Sequence, residues 1–354
     1  MRLALDAMGG DHAPAAAVEG AVRFARSHPS HTVILVGDTA HVRPLLARDG
    51  TPPANVLIEH ASQVVGFEED AGAAIRRKKD SSLRVGLELV HRGAADAFVS
   101  AGHSGAVLAG TLFILGRLPG VERPAIAALF PALKKGRCVL LDAGANVDCR
   151  PSHLAQWAVM GDAYVRTVLG VARPRVALLS NGEEETKGTE LTRQAAALLR
   201  SSDLRFVGYV EGKDIFSGVV DVVVTDGFTG NVVLKTAEGT AMGIVGMIKE
   251  AIDAARLPER LGALLLKPTL LGLKKVVDYA EYGGAPLLGT DGVSIVAHGR
   301  SDARAIASAL AAALATREHR LTESIRAAIH RSSAWLPTRS VKKGKGTAAE
   351  SVPD

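Results

Sequence analysis

Short apolar runs alternate with longer amphipathic stretches over most of this chain. Eight runs rich in Val, Ile and Leu predict strands: RLALD, TVILVG, NVLIEH, DAFVSA, CVLLDAG, RVALLS, LRFVGYV and DVVVTDG. The stretches between them are rich in Ala, Leu, Arg and Glu, which favours helices. Strands that are apolar on both faces and alternate with helices predict an α/β fold, in which helices flank a largely parallel sheet in three Rossmann-like layers.

The domain organisation follows from what interrupts this pattern. No repeat of solenoid length and no Pro- or Ser-rich linker divides the chain before about residue 331. We therefore predict one catalytic domain over residues 1–331. Residues 332–354 are polar and basic, a composition typical of a disordered tail.

Composition narrows the class of protein. A chain of 354 residues, 47% hydrophobic and 22% charged, can bury a large core. Cys138 and Cys149 form no disulfide framework or metal-ligand spacing, and no signal peptide is evident, so we expect a cytoplasmic protein. Lys267 and Pro268 interrupt an apolar stretch before it could span a membrane. Much of the net charge of +5 lies in the tail and says little about partners.

Five predicted strands end in polar turns that contain glycine: DAMGGDHAP, SAGHSGA, DAGAN, SNGEEETKGTE and TDGFTGN. Glycine lets backbone N–H groups approach an anion, and a following helix N-terminus adds partial positive charge. Each turn alone is also a common connector between a strand and a helix. Because carboxyl ends of parallel strands share one sheet edge, the five turns together predict a phosphate site there.

Several other chemistries find little support. The chain has no GxxxxGK[ST], and its first turn lacks the GxGxxG order, which argues against a P-loop nucleotidase and a standard NAD enzyme. Asp6, Asp11 and His12 would bind a metal only if they converged, and such residues commonly cap helices. Ser104 is outside a GxSxG motif, and Cys138 lies in an apolar strand. The other polar side chains of these turns suit binding phosphate and polarising a carbonyl. They are Lys187, the carboxamides of Asn146 and Asn231, and the hydroxyls of Ser180, Thr186 and Thr229.

These motifs occur together, and in this order, in a known family. LALDAMGGDHAP, RRKKDSSL, SAGHSGA, LLDAGAN, SNGEEETKGTE, TDGFTGNVVLKTAEG, YGGAPLLG and IVAHGRSDARAI resemble the bacterial phosphate acyltransferases, the PlsX family, from residue 2 to about residue 330. The resemblance implies transfer of a long-chain acyl group from acyl carrier protein to inorganic phosphate for phospholipid synthesis. It also implies a homodimer without metal or organic cofactor, and a fold similar to isocitrate dehydrogenases and phosphotransacetylases. A phosphotransacetylase acting on acyl-coenzyme A and a non-catalytic phosphate-binding or scaffold protein are the alternatives.

In this transfer, phosphate would attack the thioester of the acyl donor directly. The resemblance assigns residues to that step. It implies Lys187 for phosphate or oxyanion charge and Asn231 for orientation or oxyanion donation, although such a lysine is commonly a solvated surface charge. The family usually reads Asn-Thr where this chain has His103 and Ser104. His103 is therefore a third candidate, which donates to phosphate, protonates the departing thiolate, or only fills the space. The predicted phosphate pocket comprises Asp6, Gly9, Gly10, His12, Gly102, Ser104, Gly105, Asn146, Asn181, Gly182, Thr229 and Gly230. In it the acids shape the turn, because two carboxylates would repel phosphate.

Two segments of the sequence are candidates for binding partners. A basic run, Arg76, Arg77, Lys78 and Lys79, is a docking site for acidic carrier protein or a solvated helix face. Residues 252–279 combine leucines with basic residues. The resemblance implies that this segment lies on an anionic membrane, and the alternative is a dimer interface. Leu264, Leu265, Lys267, Leu270 and Leu271 are the predicted membrane contacts. The expected location is the cytoplasm, at the inner face of the cell membrane, alongside a glycerol-3-phosphate acyltransferase and without a nucleic acid partner.

Overall fold

The computed structural model describes residues 1–48, 50–133, 136–256, 258–259, 262–269 and 283–336. Its strands are β1 (Arg2–Asp6), β2 (Thr32–Gly37), β3 (Val56–His60), β4 (Ala97–Ser100), β5 (Ala125–Ala132), β6 (Gly136–Leu141), β7 (Val176–Leu179), β8 (Phe206–Val210), β9 (Val222–Val224), β10 (Ala285–Leu288) and β11 (Val293–Val296). Its helices are α1 (Ala15–Ser27), α2 (Thr39–Ala47), α3 (Ala71–Arg77), α4 (Ser82–His91), α5 (Ser104–Ile114), α6 (Pro151–Val168), α7 (Glu190–Arg200), α8 (Gly227–Ala254), α9 (Ala303–Glu318) and α10 (Leu321–Ser332). A 3₁₀ helix (Gly212–Ile215) follows β8.

These strands form one sheet in the order β3-β2-β1-β4-β11-β10-β5-β6-β9-β7-β8. Five strands at one end are mutually parallel, and so are four at the other. Three antiparallel pairings, β11 with β10, β10 with β5 and β5 with β6, lie between them. Because direction reverses three times, the two parallel halves run in opposite directions. The predicted largely parallel sheet is confirmed, but the expectation that all five turns share one edge is wrong.

The strands that cause this reversal are those that the apolar pattern does not reveal. All eight predicted strands are present, whereas β5, β10 and β11 were not predicted. β5 is rich in alanine and contains Pro131, and β10 has four residues including Pro286. Proline cannot donate to a strand ladder, so such runs do not look like central strands.

Helices cover both faces of each half of the sheet. In the first half, Leu3 and Leu5 pack with α1 and α9, while Ala4 belongs to the opposite core with α4 and α5. In the second half, one face packs on α6, α7 and α10, and the other holds Leu140 and Val223 against the start of α8. The alternation along each strand gives two apolar faces, which confirms the three-layer arrangement.

The C-terminal third differs from the predicted boundaries. The predicted segment 252–279 begins inside the last turn of α8, and residues 262–269 are again helical, whereas Leu270, Leu271 and the rest of it lie outside the described residues. In the predicted tail, Leu336 is 1% exposed and packs in the core with α6 and α10. The folded domain therefore extends to at least Leu336, and residues 337–354 lie outside the described part.

Candidate active site

A cavity of about 390 Å³ opens over the central strands and receives walls from both halves of the sheet. The first half supplies the turns after β4 and β11, and the second supplies the turn after β6 and the start of α8. Its floor is apolar, with Ile126, Ala128, Leu129, Ala285 and Val296 from β5, β10 and β11. A polar rim around an apolar floor suits a ligand with one polar and one apolar end.

The opening turn, DAMGGDHAP, packs behind the cavity wall that the turns after β4 and β11 form. A side chain at position 9 would stand 2.7 Å from the backbone nitrogen of Gly102, so only glycine permits this approach. Gly10 has a φ of +103°, which favours glycine, and the Asp11 N–H donates to the Gly299 carbonyl at 2.8 Å. The turns after β1, β4 and β11 are therefore locked together.

Asp6 anchors this arrangement from within. Its carboxyl accepts hydrogen bonds from the Ser100 hydroxyl at 2.7 Å and from the Met8 N–H at 3.1 Å. Burial raises its pKa, and these donors oppose that shift. Asp6 thus shapes the turn, as predicted, whereas His12 is exposed on its outer side. Among the residues the structure describes, no cluster of three or more His, Cys, Asp or Glu side chains could hold a metal.

His103 caps α5 and lines the cavity. Its Nδ1 accepts the N–H of Ala106 at 3.1 Å, so the proton of the neutral ring is on Nε2. The ring stacks on Phe67 with centroids 6.3 Å apart. A side chain at Gly105 would stand 2.8 Å from the imidazole Cε1, so this glycine makes room for the ring. Ser104 and Gly102 also line the cavity.

The second wall is organised around Asp142, the first residue after β6. This buried carboxylate accepts the N–H groups of Ile126, Gly144, Ala145 and Asn146 and the Asn146 side-chain amide. The Asn146 amide also donates to the Pro124 carbonyl at 2.8 Å. Both amide hydrogens of Asn146 are thus used inside the protein, and the structure places this residue outside the cavity lining.

The start of α8 packs directly on this turn. A side chain at Gly230 would stand 1.9 Å from the Asp142 carbonyl oxygen, and one at Gly227 would stand 2.5 Å from the Asn146 carbonyl oxygen. The Thr229 hydroxyl donates to Asp226, the N-cap of the helix, at 2.7 Å. Asn231 follows at the cavity edge, beside Gly144. Of the predicted residues in this turn, only Asn231 reaches the cavity.

The turn after β7 lies apart from the cavity. Asn181 closes it by accepting the Gly188 N–H at 3.0 Å, and buried Gly182 packs under the Lys187 stem. Lys187 is exposed and forms no ion pair with the described residues. Asn181, Gly182 and Lys187 share a sheet edge with Asn231, but none of them is among the described residues that line the cavity.

Three charged or titratable cavity residues were missed by the sequence analysis: Lys235, Glu238 and His298. Lys235 Nζ lies 2.9 Å from Glu238 Oε2 and 3.2 Å from His298 Nε2. Burial, and then the charge of Lys235, lower the pKa of His298, which favours the neutral ring. A signal was available: Lys235 and Glu238 stand four and seven residues after Asn231, on one helix face.

No thiol is suited to act as a nucleophile here. Burial raises the pKa of Cys138 to about 12 and that of Cys149 to about 11. Both thiols are therefore protonated near neutral pH. The Ser104 hydroxyl makes no hydrogen bond to another described residue, so no base activates it within the part of the chain that the structure covers.

The predicted partner surfaces are on the outside. Arg76, Arg77 and Lys79 are exposed around the C-terminus of α3, whereas Lys78 pairs with Glu69 at 2.5 Å. Leu264 and Leu265 are 62% and 83% exposed, and Lys267 is exposed beside them. Across the described residues, no helix is long and apolar enough to cross a membrane.

Comparisons with known proteins place these features in a family. The model of a family described as "Fatty acid synthesis protein" matches residues 1–323. The chain is 66% identical over 356 residues to a phosphate acyltransferase of Myxococcus xanthus, with full coverage of both proteins. It is 53% identical over 310 residues to a phosphate acyltransferase of Geobacter sulfurreducens, covering 88% of this chain and 89% of that protein.

Solved structures agree on the fold. A phosphotransacetylase of Streptococcus pyogenes superposes with a TM-score of 0.53 at 20% identity, covering 93% of this chain and 94% of that one. This confirms the predicted similarity to phosphotransacetylase folds. On the strength of the match over nearly the whole sequence, the chain belongs to the fatty acid synthesis protein family and, within it, to the phosphate acyltransferases.

Proposed function

We propose that this enzyme transfers a long-chain fatty acyl group from acyl carrier protein to inorganic phosphate, and so supplies acyl phosphate for the acylation of glycerol 3-phosphate. The observation that carries the proposal is the cavity in which an apolar floor meets the start of α5. The first N–H groups of a helix have no partner within it and suit a phosphate, while the floor suits the acyl chain.

The chemistry needs no covalent enzyme intermediate. An oxygen of HPO₄²⁻ attacks the thioester carbonyl carbon, a C–O bond forms, and the C–S bond breaks with its electron pair on sulfur. The thiolate takes up one proton and phosphate gives up one, so protons balance. The protonated thiols and unactivated Ser104 support this direct attack. The protein then has to position both reactants and stabilise the oxyanion.

Asn231 and Lys187 are the proposed contributors from the second half of the sheet. Asn231 stands at the cavity edge, where its amide could donate to the oxyanion. Lys187 would act from the turn after β7 on phosphate or oxyanion charge. We expect Asn231→Ala to lower kcat about 100-fold, the usual cost of one oxyanion donor. Thr240→Ala, further along α8, is the matched control and should leave kcat unchanged.

The carrier protein is the proposed donor because exposed basic residues lie at the end of the helix that comes after a cavity-lining residue. Helix α3 starts shortly after Phe67, which lines the cavity, and ends with the exposed cations Arg76 and Arg77, which exposed Lys79 closely follows. Complementary charge speeds the encounter with an acidic partner. The exposed leucines at 264–266 are the proposed membrane contact, and the exposed apolar face of α8 is the proposed dimer contact.

The decisive experiment traps acyl phosphate with hydroxylamine. The protein is incubated with phosphate and either palmitoyl carrier protein or acetyl-coenzyme A, and hydroxamate and free thiol are measured. Phosphate-dependent palmitoyl hydroxamate is the expected product. Hydroxamate from acetyl-coenzyme A alone would indicate a phosphotransacetylase, and none from either donor would exclude both activities.

A further inference from the structure

One face of α8 carries two charged side chains into the cavity, Lys235 and Glu238, that the proposed reaction has not used. Asn231, Leu234, Lys235 and Glu238 all line the cavity, at a spacing that places them on one face of the helix. Asn231 is at the rim beside Gly144, so the next two polar residues stand one and two turns further along. The face therefore presents an amide, a cation and an anion in sequence.

Lys235 is held in a defined position on this face. Its Nζ donates to Glu238 Oε2 at 2.9 Å and lies 3.2 Å from His298 Nε2, on the turn after β11. The Glu238 side chain is only 17% exposed, whereas that of Lys235 is 54% exposed. The ammonium thus has one anchored side and one side open to a ligand.

A phosphate dianion bound in this cavity would need a cation beside it. Among the described residues that line it, Lys235 is the only lysine or arginine, and Glu238 is the only acid. A phosphate dianion that enters would otherwise meet only neutral donors. Burying such a charge without a partner is strongly unfavourable.

We propose that Lys235 binds the attacking phosphate and that Glu238 is a positioning residue that holds the ammonium over the cavity. This inference rests on the proposed function and adds to it a cation from inside the cavity. Lys235 spans the gap between the two walls, because it stands on α8 and reaches His298 beside β11. Phosphate bound to it would lie between the start of α5 and Asn231.

The test separates phosphate binding from turnover. Lys235→Met and Lys235→Gln should raise the KM for phosphate about 10- to 100-fold, the usual worth of a hydrogen bond to a charged group, and change the KM for palmitoyl carrier protein less than about twofold. Lys235→Arg should recover part of the loss. Glu238→Gln should raise the same KM several-fold while leaving thermal unfolding unchanged. Lys249→Met, the same change farther along α8, should alter neither KM.

Calorimetric titration with inorganic phosphate provides a readout independent of activity. Loss of phosphate binding in both Lys235 variants, with binding intact in Lys249→Met, supports the inference even if the wild-type protein makes no acyl phosphate; in that case only the proposed function fails. An unchanged Kd and KM for phosphate in the Lys235 variants would overturn the inference while leaving the acyltransferase reaction in place.

Discussion

His103 stands at the N-terminus of α5, where its Nδ1 performs the task that a carboxamide oxygen performs in an asparagine cap. The ring accepts the Ala106 N–H and still carries a proton on Nε2. The observed cap and the proposed donation into the cavity therefore belong to different atoms of one side chain, and two substitutions can distinguish them.

We expect His103→Asn to retain the cap and the stability, because an asparagine oxygen accepts the same N–H. Loss of the Nε2 donor should lower kcat/KM for phosphate about tenfold. His103→Ala should lose the cap as well and lower the free energy of unfolding by about 1 kcal/mol. Urea denaturation and steady-state kinetics measure both effects. Full activity in His103→Asn would show that the imidazole only fills space.

Residue types at strand ends could be predicted, but their partners could not. Asn146 and Thr229 have the chemistry of phosphate ligands, yet Asn146 donates to Pro124 and Asp142, and Thr229 donates to Asp226. Which way a side chain points depends on groups brought close only by the fold, such as a carbonyl 22 positions earlier in the chain. Asp6 is an exception, because its hydrogen bonds with the Met8 N–H and the Ser100 hydroxyl show that it shapes the turn.

At the scale of elements, α8 is fixed at one end and open along the rest. Of its 28 residues, only Gly227 and Gly230 are buried. The helix therefore depends on close backbone contact with the turn after β6, and its glycines differ sharply in what surrounds them.

Gly230→Ala should displace the start of α8, because the new methyl group would overlap the Asp142 carbonyl. We expect a loss of about 3 kcal/mol in unfolding free energy and a large fall in turnover, because Asn231 moves with the helix. Gly239→Ala, on the same helix with open space around it, should raise stability by about 0.5–1 kcal/mol. Equal stability of the two variants would contradict this account.

A second element-scale link joins the starts of β7 and β9. Arg175 Nε and Nη2 both donate to the Asp221 carboxylate at 2.9 Å. Burial raises the pKa of Asp221, but the hydrogen bonds and charge of Arg175 outweigh this and lower it. The ionised carboxylate of Asp221 therefore stabilises the folded state at pH values above about 3.9, the pKa of aspartate in the unfolded chain. This stabilisation is lost as the pH falls through the lower pKa that Asp221 has in the folded protein.

Asp221→Asn should reduce unfolding free energy by about 1–2 kcal/mol at pH 7. The difference from wild type should stay constant down to about pH 5 and narrow below about pH 4, where the wild-type carboxylate becomes protonated. Chemical denaturation at a series of pH values measures it, with exposed Asp148→Asn as control. A difference that persists unchanged to pH 3 would exclude the ion pair as its source.

For the whole molecule, the apolar pattern identified the α/β class and eight of the nine strands in the parallel halves. It did not reveal how the halves are joined, because β5, β10 and β11 are short or alanine-rich and two of them contain proline. The cavity lies over these strands, so its position and the part played by His298 beside β11 were not accessible. Lys235 and Glu238 could have been found from helical spacing.

At the surface, several large apolar side chains of the described residues are exposed to solvent. Leu265→Glu should abolish sedimentation with anionic vesicles, since it puts a charge where the proposed membrane contact is most exposed. Leu57→Glu, at an exposed position on β3, should sediment like wild type. Unchanged sedimentation of Leu265→Glu would exclude this contact. The oligomeric state, measured by light scattering, should be the same in all three proteins.

The three antiparallel pairings at the centre of the sheet also fix the distance between the two walls of the cavity. The pairing of β5 with β10 matches Ile126 to Leu287 and Ala125 to Leu288, and through it the two walls keep their separation. A slip of one residue would shift one wall by about 3.3 Å and turn Ile126 and Ala128 away from the cavity. In the proposed reaction, strand register thus sets the spacing between phosphate and thioester, so mutations in these pairings should impair catalysis before they unfold the protein.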